Sequence, residues 1–192
     1  MEEPLQREHA KQNVAQPPPA VPPAKPALAA YRRMLPHYQY EGSTVFVTFN
    51  THDRWVLPET ARDLVLEHCL HEHGIRYFLH AVVVMPDHVH LLLTPLRDAG
   101  GATYGIAEIM GGMKGASAHS VNRSLHRKGQ VWQDESFDHV LRKDERVRSV
   151  AEYICNNPVR AGLAMSEADY PSMWRERIEG EAPASTAGTL DP

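Results

Sequence analysis

The stretch RYFLHAVVVMPDHVHLLLT, from Arg76 to Thr94, constrains the fold more than any other part of the chain. Two runs rich in β-branched and apolar residues flank Met85, Pro86 and Asp87, a tight-turn signal, and predict two consecutive strands. Val82 to Val84 and Leu91 to Leu93 are continuous apolar runs, not alternating ones. Strands of that kind are covered on more than one side.

The flanking segments supply the rest of a domain. TVFVTFN, Thr44 to Asn50, predicts another strand. Pro58 suits the first turn of a helix in which Ala61, Leu64, Val65 and Cys69 recur at helical spacing, with Gly74 as its stop. A second helix is expected from about Tyr104 to Leu125, on a stripe of Ile106, Ile109, Met110, Met113, Ser117, Val121 and Leu125. Gly111, Gly112 and Gly115 weaken it by about 1 kcal/mol each against alanine, and imply a kink or a face that a ligand backbone approaches closely. QVWQ and SFDHVLR, between Gln130 and Arg142, read as extended. A third helix is expected from an N-cap at Asp144 to the Asn157–Pro158 step, with Val147, Val150, Ala151 and Ile154 as its stripe. The order β, α, β, β, α, β, α predicts an α+β fold: a ferredoxin-like antiparallel sheet with helices packed on one face.

Seven of the 15 prolines lie in the first 30 residues, which predicts an extended, disordered N-terminal arm over 1–30. The stretch 178–192 reads as a second disordered tail, leaving 31–177 as one domain of common size. No apolar run approaches the roughly 18 residues of a membrane span, and the polar, acidic start MEEPLQREHAKQ is unlike a signal peptide. A cytoplasmic protein with no membrane partner is expected. Cys69 and Cys155 lack CxxC spacing and read as reduced core thiols. The chain has 20 Lys+Arg against 24 Asp+Glu, a net charge of -4, which at first counts against nucleic acid as a partner. The total conceals an uneven distribution. Gly112 to Arg160 holds nine Lys+Arg against six Asp+Glu, while Ala164 to Pro192 holds two against six. A mildly basic half precedes an acidic tail, so the net charge no longer counts against a nucleic-acid partner.

His88 and His90 stand two apart on a predicted strand, so both imidazoles project from one face while Val89 points to the other. That geometry lets them converge on one cation, for which neutral histidine is a common ligand. The alternative is a partly buried pair satisfied by backbone carbonyls. Asp87 suits a turn cap better than a ligand, since its side chain should point to the opposite face. His71 and His73, on a predicted helix, diverge by about 200° and do not form such a pair.

Within EYICNNPVRAGL, Glu152 to Leu163, Tyr153 and Asn157 are neighbours four apart on one helix face, beside the apolar stripe. Both can look into a cleft against the sheet. The Asn157 amide oxygen can then join the two imidazoles on a hard ion such as Mg²⁺ or Mn²⁺, with Tyr153 near a bound phosphate. Read structurally, Tyr153 is an amphipathic edge residue and Asn157 a helix terminator.

MPDHVHLLL, MGGMKGASAHSVNR, VWQDESFDHVLR and EYICNNPVRAGL, in that order and spacing, resemble the single-tyrosine HUH transposases, and among them the REP-associated tyrosine transposases. The resemblance covers about residues 31–174. It implies an HUH endonuclease type of ferredoxin-like fold and a divalent metal, Mg²⁺ or Mn²⁺, on His88, His90 and Asn157. It also implies Tyr153 as the nucleophile that attacks a DNA phosphodiester. The implied substrate is single-stranded DNA next to a hairpin, cleaved and rejoined through a 5′-phosphotyrosine, by a monomer or a homodimer.

Candidate DNA contacts follow from residue type. Lys114 suits a scissile phosphate or a solvated helix surface. Arg32, Arg33, Arg123, Arg127, Lys128, Arg142, Lys143, Arg146, Arg148 and Arg160 suit backbone phosphates. Trp132 and Phe137 suit stacking on unpaired bases or core packing. Two other functions fit the same residues: a domesticated hairpin-binding module that does not cut, and a metal hydrolase in which the histidine pair activates water. The hydrolase lacks an obvious carboxylate base beside the pair.

Overall fold

Alternation decides the first strand. In β1, Val45–Thr51, every second side chain is buried, so the strand has one face in a core and one facing elsewhere. The computed structural model describes residues 42–142 and 146–176. The expected arms, Arg32, Arg33, Lys143 and Asp144 lie outside them.

Four more strands complete an antiparallel sheet: β2 (Tyr77–Val84), β3 (His88–Pro95), β4 (Trp132–Val140) and β5 (Met173–Arg175), in the order β4-β1-β3-β2-β5. β3 is central. Its hairpin with β2 is interrupted where Leu79 pairs with Leu93 but Ala81 pairs with Leu92. The extra residue, His80, is a bulge that changes the phase of β2. As a result Tyr77 and Leu79 before it, and Val82 and Val84 after it, enter the same core.

The sheet is covered on both faces. On one, α1 (Glu59–His71) and α2 (Ile106–Ser124) pack Val65, Cys69, Ile109 and Met113 against Val47, Phe49, Val89, Leu91 and Leu93. On the other, α3 (Val147–Cys155) packs Ala151, Ile154 and Cys155 against Ala81, Val83 and Leu92. The α+β antiparallel fold is as expected from the element order, but the placement of all helices on one face is not. The physical reason is the pair of apolar runs: Val83 and Leu92 face α3, while their neighbours face α1 and α2.

Three local expectations change. α2 runs without a break through its glycines; a Cβ on Gly111 or Gly115 meets nothing within 4 Å, and one on Gly112 comes only to 3.7 Å from Arg76 Nη1. There is no kink. The third helix begins at Val147 after an extended Arg146. It ends at Cys155, just before the Asn157–Pro158 step as expected, and Pro158 then sits in the first turn of a short helix, α4 (Asn157–Arg160), where its missing N–H costs nothing. The edge strand β5 was not expected, because three residues are too few to show an alternation.

Both cysteines are buried thiols outside any disulfide, and burial pushes the Cys69 thiol up to about 12. No helix among the described residues is long and apolar enough to cross a membrane.

Candidate active site

The turn that delivers the histidines is fixed by backbone and side-chain bonds. The Met85 N–H donates to the His88 carbonyl at 2.8 Å, and the Leu57 N–H to that of Pro86 at 2.7 Å. Buried Thr51 donates both its N–H, at 2.9 Å, and its hydroxyl, at 3.1 Å, to the Asp87 carbonyl. β3 then alternates, Val89 and Leu91 entering the α1–α2 core while His88 and His90 project on the α3 face.

The imidazoles converge. Their Nε2 atoms are 3.2 Å apart, the separation of two adjacent ligands around one ion at metal–nitrogen distances of about 2.0–2.1 Å. Each Nδ1 is anchored: His88 Nδ1 lies 2.6 Å from Asp87 Oδ1, and His90 Nδ1 2.8 Å from Thr48 Oγ1. Donation from His88 Nδ1 to the carboxylate leaves its Nε2 as a bare acceptor, the usual outer-sphere arrangement of a metal-binding histidine. Without a cation, a proton on His90 Nε2 bridges the pair while Thr48 donates to Nδ1; reversing the Thr48 hydroxyl frees both Nε2 lone pairs. Burial, and then the neighbouring His88, push His90 down to about 4, so it is neutral near pH 7 and competent as a ligand.

Asp87 is more than a turn cap. Its carbonyl closes the turn, while its carboxylate holds His88 with one oxygen and Arg54 Nη1, at 3.0 Å, with the other. Burial raises its pKa, but the hydrogen bond to His88 and the charges of His88 and Arg54 outweigh that and hold it below the usual carboxylate value. Arg54 Nη1 also donates to Asn50 Oδ1 at 3.0 Å. Asp53 and Arg54 both adopt positive φ, 51° and 56°, a strain of order 1–3 kcal/mol per residue that surrounding contacts must offset. Thr48, Asn50 and Arg54 were not anticipated. The alternation of Thr48 and Asn50 with apolar residues in VFVTFN carries a signal for the first two; nothing local points to Arg54.

α3 lies across β2, β3 and β5, on the face that bears the histidines. Tyr153 is 53% exposed, and the Arg160 guanidinium sits 4.9 Å from its ring centroid. The Asn157 amide nitrogen donates to the carbonyls of Tyr153 and Ile154, both at 3.1 Å. Both bonds use the amide nitrogen and none the amide oxygen. Among the described residues no third His, Cys, Asp or Glu joins the pair, which leaves an amide as the third donor to consider.

The other candidates divide. Trp132 is 4% exposed, lies edge-on to Phe49 at 4.8 Å, and donates its indole N–H to Ser117 Oγ at 3.0 Å. It is a core residue, and the expected stacking on DNA is corrected: nothing can reach its face. Trp132→Ala is expected to cost about 3–5 kcal/mol of stability, read as a shifted denaturant midpoint. Lys114 meets the protein's own β4, donating to the carbonyls of Gln133 at 2.6 Å and Asp134 at 3.0 Å and to Ser136 Oγ at 3.3 Å. A phosphate would have to displace those partners. Arg123 is exposed at the end of α2, on the layer opposite the histidines, and Arg142 is exposed just beyond β4. Arg127 stacks on Trp55 at 3.7 Å, and Arg148 pairs with Glu152 at 3.0 Å.

A sheet with a converging histidine pair on its central strand, and a tyrosine helix across the same face, is the architecture of an HUH-type single-tyrosine transposase domain. Residues 49–157, more than half of the chain, match the model of the IS200-like transposases, and the chain belongs to that family. It is similar to a REP-associated tyrosine transposase of Escherichia coli, 26% identical over 85% of this chain and 93% of the relative. A protein of Haemophilus influenzae described in the same terms is 27% identical over 53% of this chain and spans 61% of that relative's length. The fold matches a solved REP-associated tyrosine transposase bound to a REP hairpin, with a TM-score of 0.56 and 23% identity over 69% of this chain and 76% of the other.

Proposed function

We propose that this chain is a DNA strand transferase that binds single-stranded DNA carrying a hairpin, and cuts and rejoins it through Tyr153. The observation that carries the reading is the convergence of His88 and His90 at 3.2 Å on the face crossed by the tyrosine helix. Membership of a transposase family, and a fold shared with a hairpin-bound relative, support the choice of substrate.

His88 and His90, with the Asn157 amide oxygen, would hold Mg²⁺ or Mn²⁺, which supplies Lewis acidity to a non-bridging phosphate oxygen. Tyr153 Oη attacks the phosphorus; the O–P bond to tyrosine forms, the P–O3′ bond breaks, and the phenolic proton passes to solvent. The Arg160 guanidinium lies over the ring, 4.9 Å from its centroid, and helps hold the side chain in place. The products are a 5′-phosphotyrosine and a free 3′-OH. A second 3′-OH attacking the phosphotyrosine reverses the step and joins a new strand without ATP, because the phosphodiester is exchanged and not hydrolysed.

The test is incubation of the purified protein with Mn²⁺ and a labelled hairpin bearing a single-stranded flank. A covalent protein–DNA band on a denaturing gel, with a shortened strand ending in 3′-OH, is the expected result. Tight hairpin binding without any adduct would replace this reading with that of a hairpin-binding module. Cut DNA without an adduct would replace it with a hydrolase.

A further inference from the structure

Phe137 projects from the edge strand β4 and is 62% exposed. It pairs with Thr48 of β1, which pairs in turn with His90 of β3 and is bonded to its Nδ1. Phe137, Thr48 and His90 therefore form one row on one face of the sheet. With strands about 4.8 Å apart, the Phe137 backbone lies about 10 Å from that of His90, within reach of a nucleotide whose phosphate is at the histidine pair. α3 covers the other half of this face, over β2, β3 and β5.

We propose that Phe137 is a stacking platform for one unpaired nucleobase next to the scissile phosphate. The proposal rests on the strand-transfer reading above and deepens it. Three features favour a base as the occupant. The neighbouring aromatic on this face, Phe46, is partly buried and stacks on His90 at 5.5 Å, so Phe137 offers one exposed π-face and not the broad apolar patch of a protein contact. Glu135, exposed two residues from Phe137 on the same strand, repels phosphates, so the DNA backbone stays on the β1–β3 side while the base reaches over β4. Finally, β4 is held still from the opposite face by the three hydrogen bonds of Lys114, which gives Lys114 a part in the site without a contact to DNA.

The test is a binding titration in EDTA, by fluorescence anisotropy, of wild type, Phe137→Ala and Phe137→Tyr. The probes are a blunt hairpin, the same hairpin with a single-stranded flank, and versions of the latter with one abasic position moved along the flank. Base–aromatic stacking predicts that Phe137→Ala binds the flanked hairpin about 5- to 150-fold more weakly, binds the blunt hairpin as wild type does, and is rescued as Phe137→Tyr. One abasic position should reproduce the loss in wild type and add nothing in Phe137→Ala. Equal affinity of Phe137→Ala and wild type for the flanked hairpin overturns the platform alone. So does an equal loss on both hairpins, or a change of oligomeric state, which would make Phe137 a contact between copies. If the wild type binds neither hairpin better than a random strand, both the platform and the strand-transfer reading fall.

Discussion

Tyr153→Phe is expected to abolish the covalent protein–DNA adduct while leaving hairpin binding intact. The substitution removes one oxygen from a side chain that is 53% exposed and keeps the ring that stacks under Arg160. Surface changes of this size usually shift stability by no more than about 0.5 kcal/mol, so a missing band cannot be ascribed to unfolding. The measurement is a denaturing gel of labelled hairpin with Mn²⁺, beside an anisotropy titration of the same DNA. On the strand-transfer reading the whole effect falls on chemistry, because the substitution takes away the attacking oxygen and leaves the ring. Persistence of the adduct in Tyr153→Phe would move the nucleophile to another residue.

His90→Ala is expected to eliminate measurable Mn²⁺ binding, followed by electron paramagnetic resonance of the free ion. It removes one of the two imidazoles that converge at 3.2 Å. Graded losses should follow one shell out. Asp87→Ala frees the His88 ring from its 2.6 Å anchor, and Thr48→Val releases the His90 Nδ1. Groups that orient metal-binding histidines typically contribute about 10- to 100-fold in affinity, and that is the loss expected of each. Arg54 reaches the same network through Asp87. Hairpin affinity in EDTA should be unchanged throughout, because none of these side chains needs to touch DNA away from the scissile phosphate. Mn²⁺ binding by His90→Ala equal to that of wild type would exclude the histidine pair as the metal site.

Much of this was readable in one dimension because its determinants are local. The strand boundaries around His88 follow from β-branched runs and a turn triplet, and the common face of His88 and His90 follows from the two-residue period of a strand. The continuous apolar runs at Val82 to Val84 and Leu91 to Leu93 already required cover on both sides. The expectation of helices on one face overlooked that requirement, and α3 supplies the second cover. Trp132 shows the converse difficulty. An aromatic residue near the start of an edge strand looks the same in sequence whether it meets a base or Ser117, and only the packing of α2 against β4 assigns it to the core.

The α+β class, the histidine pair, the tyrosine and asparagine one turn apart, and through them the family, are written in the residue order. Each of these depends on neighbours within a turn of helix or a few residues of strand. The tertiary structure alone decided which face of the sheet carries the tyrosine helix, which side chains anchor each Nδ1, and which aromatic stays in solvent. Those are contacts between positions as far apart as Thr48 and His90 or Arg54 and Asp87. No periodicity encodes them, because they are set by strand register and by the strained turn at Asp53 and Arg54.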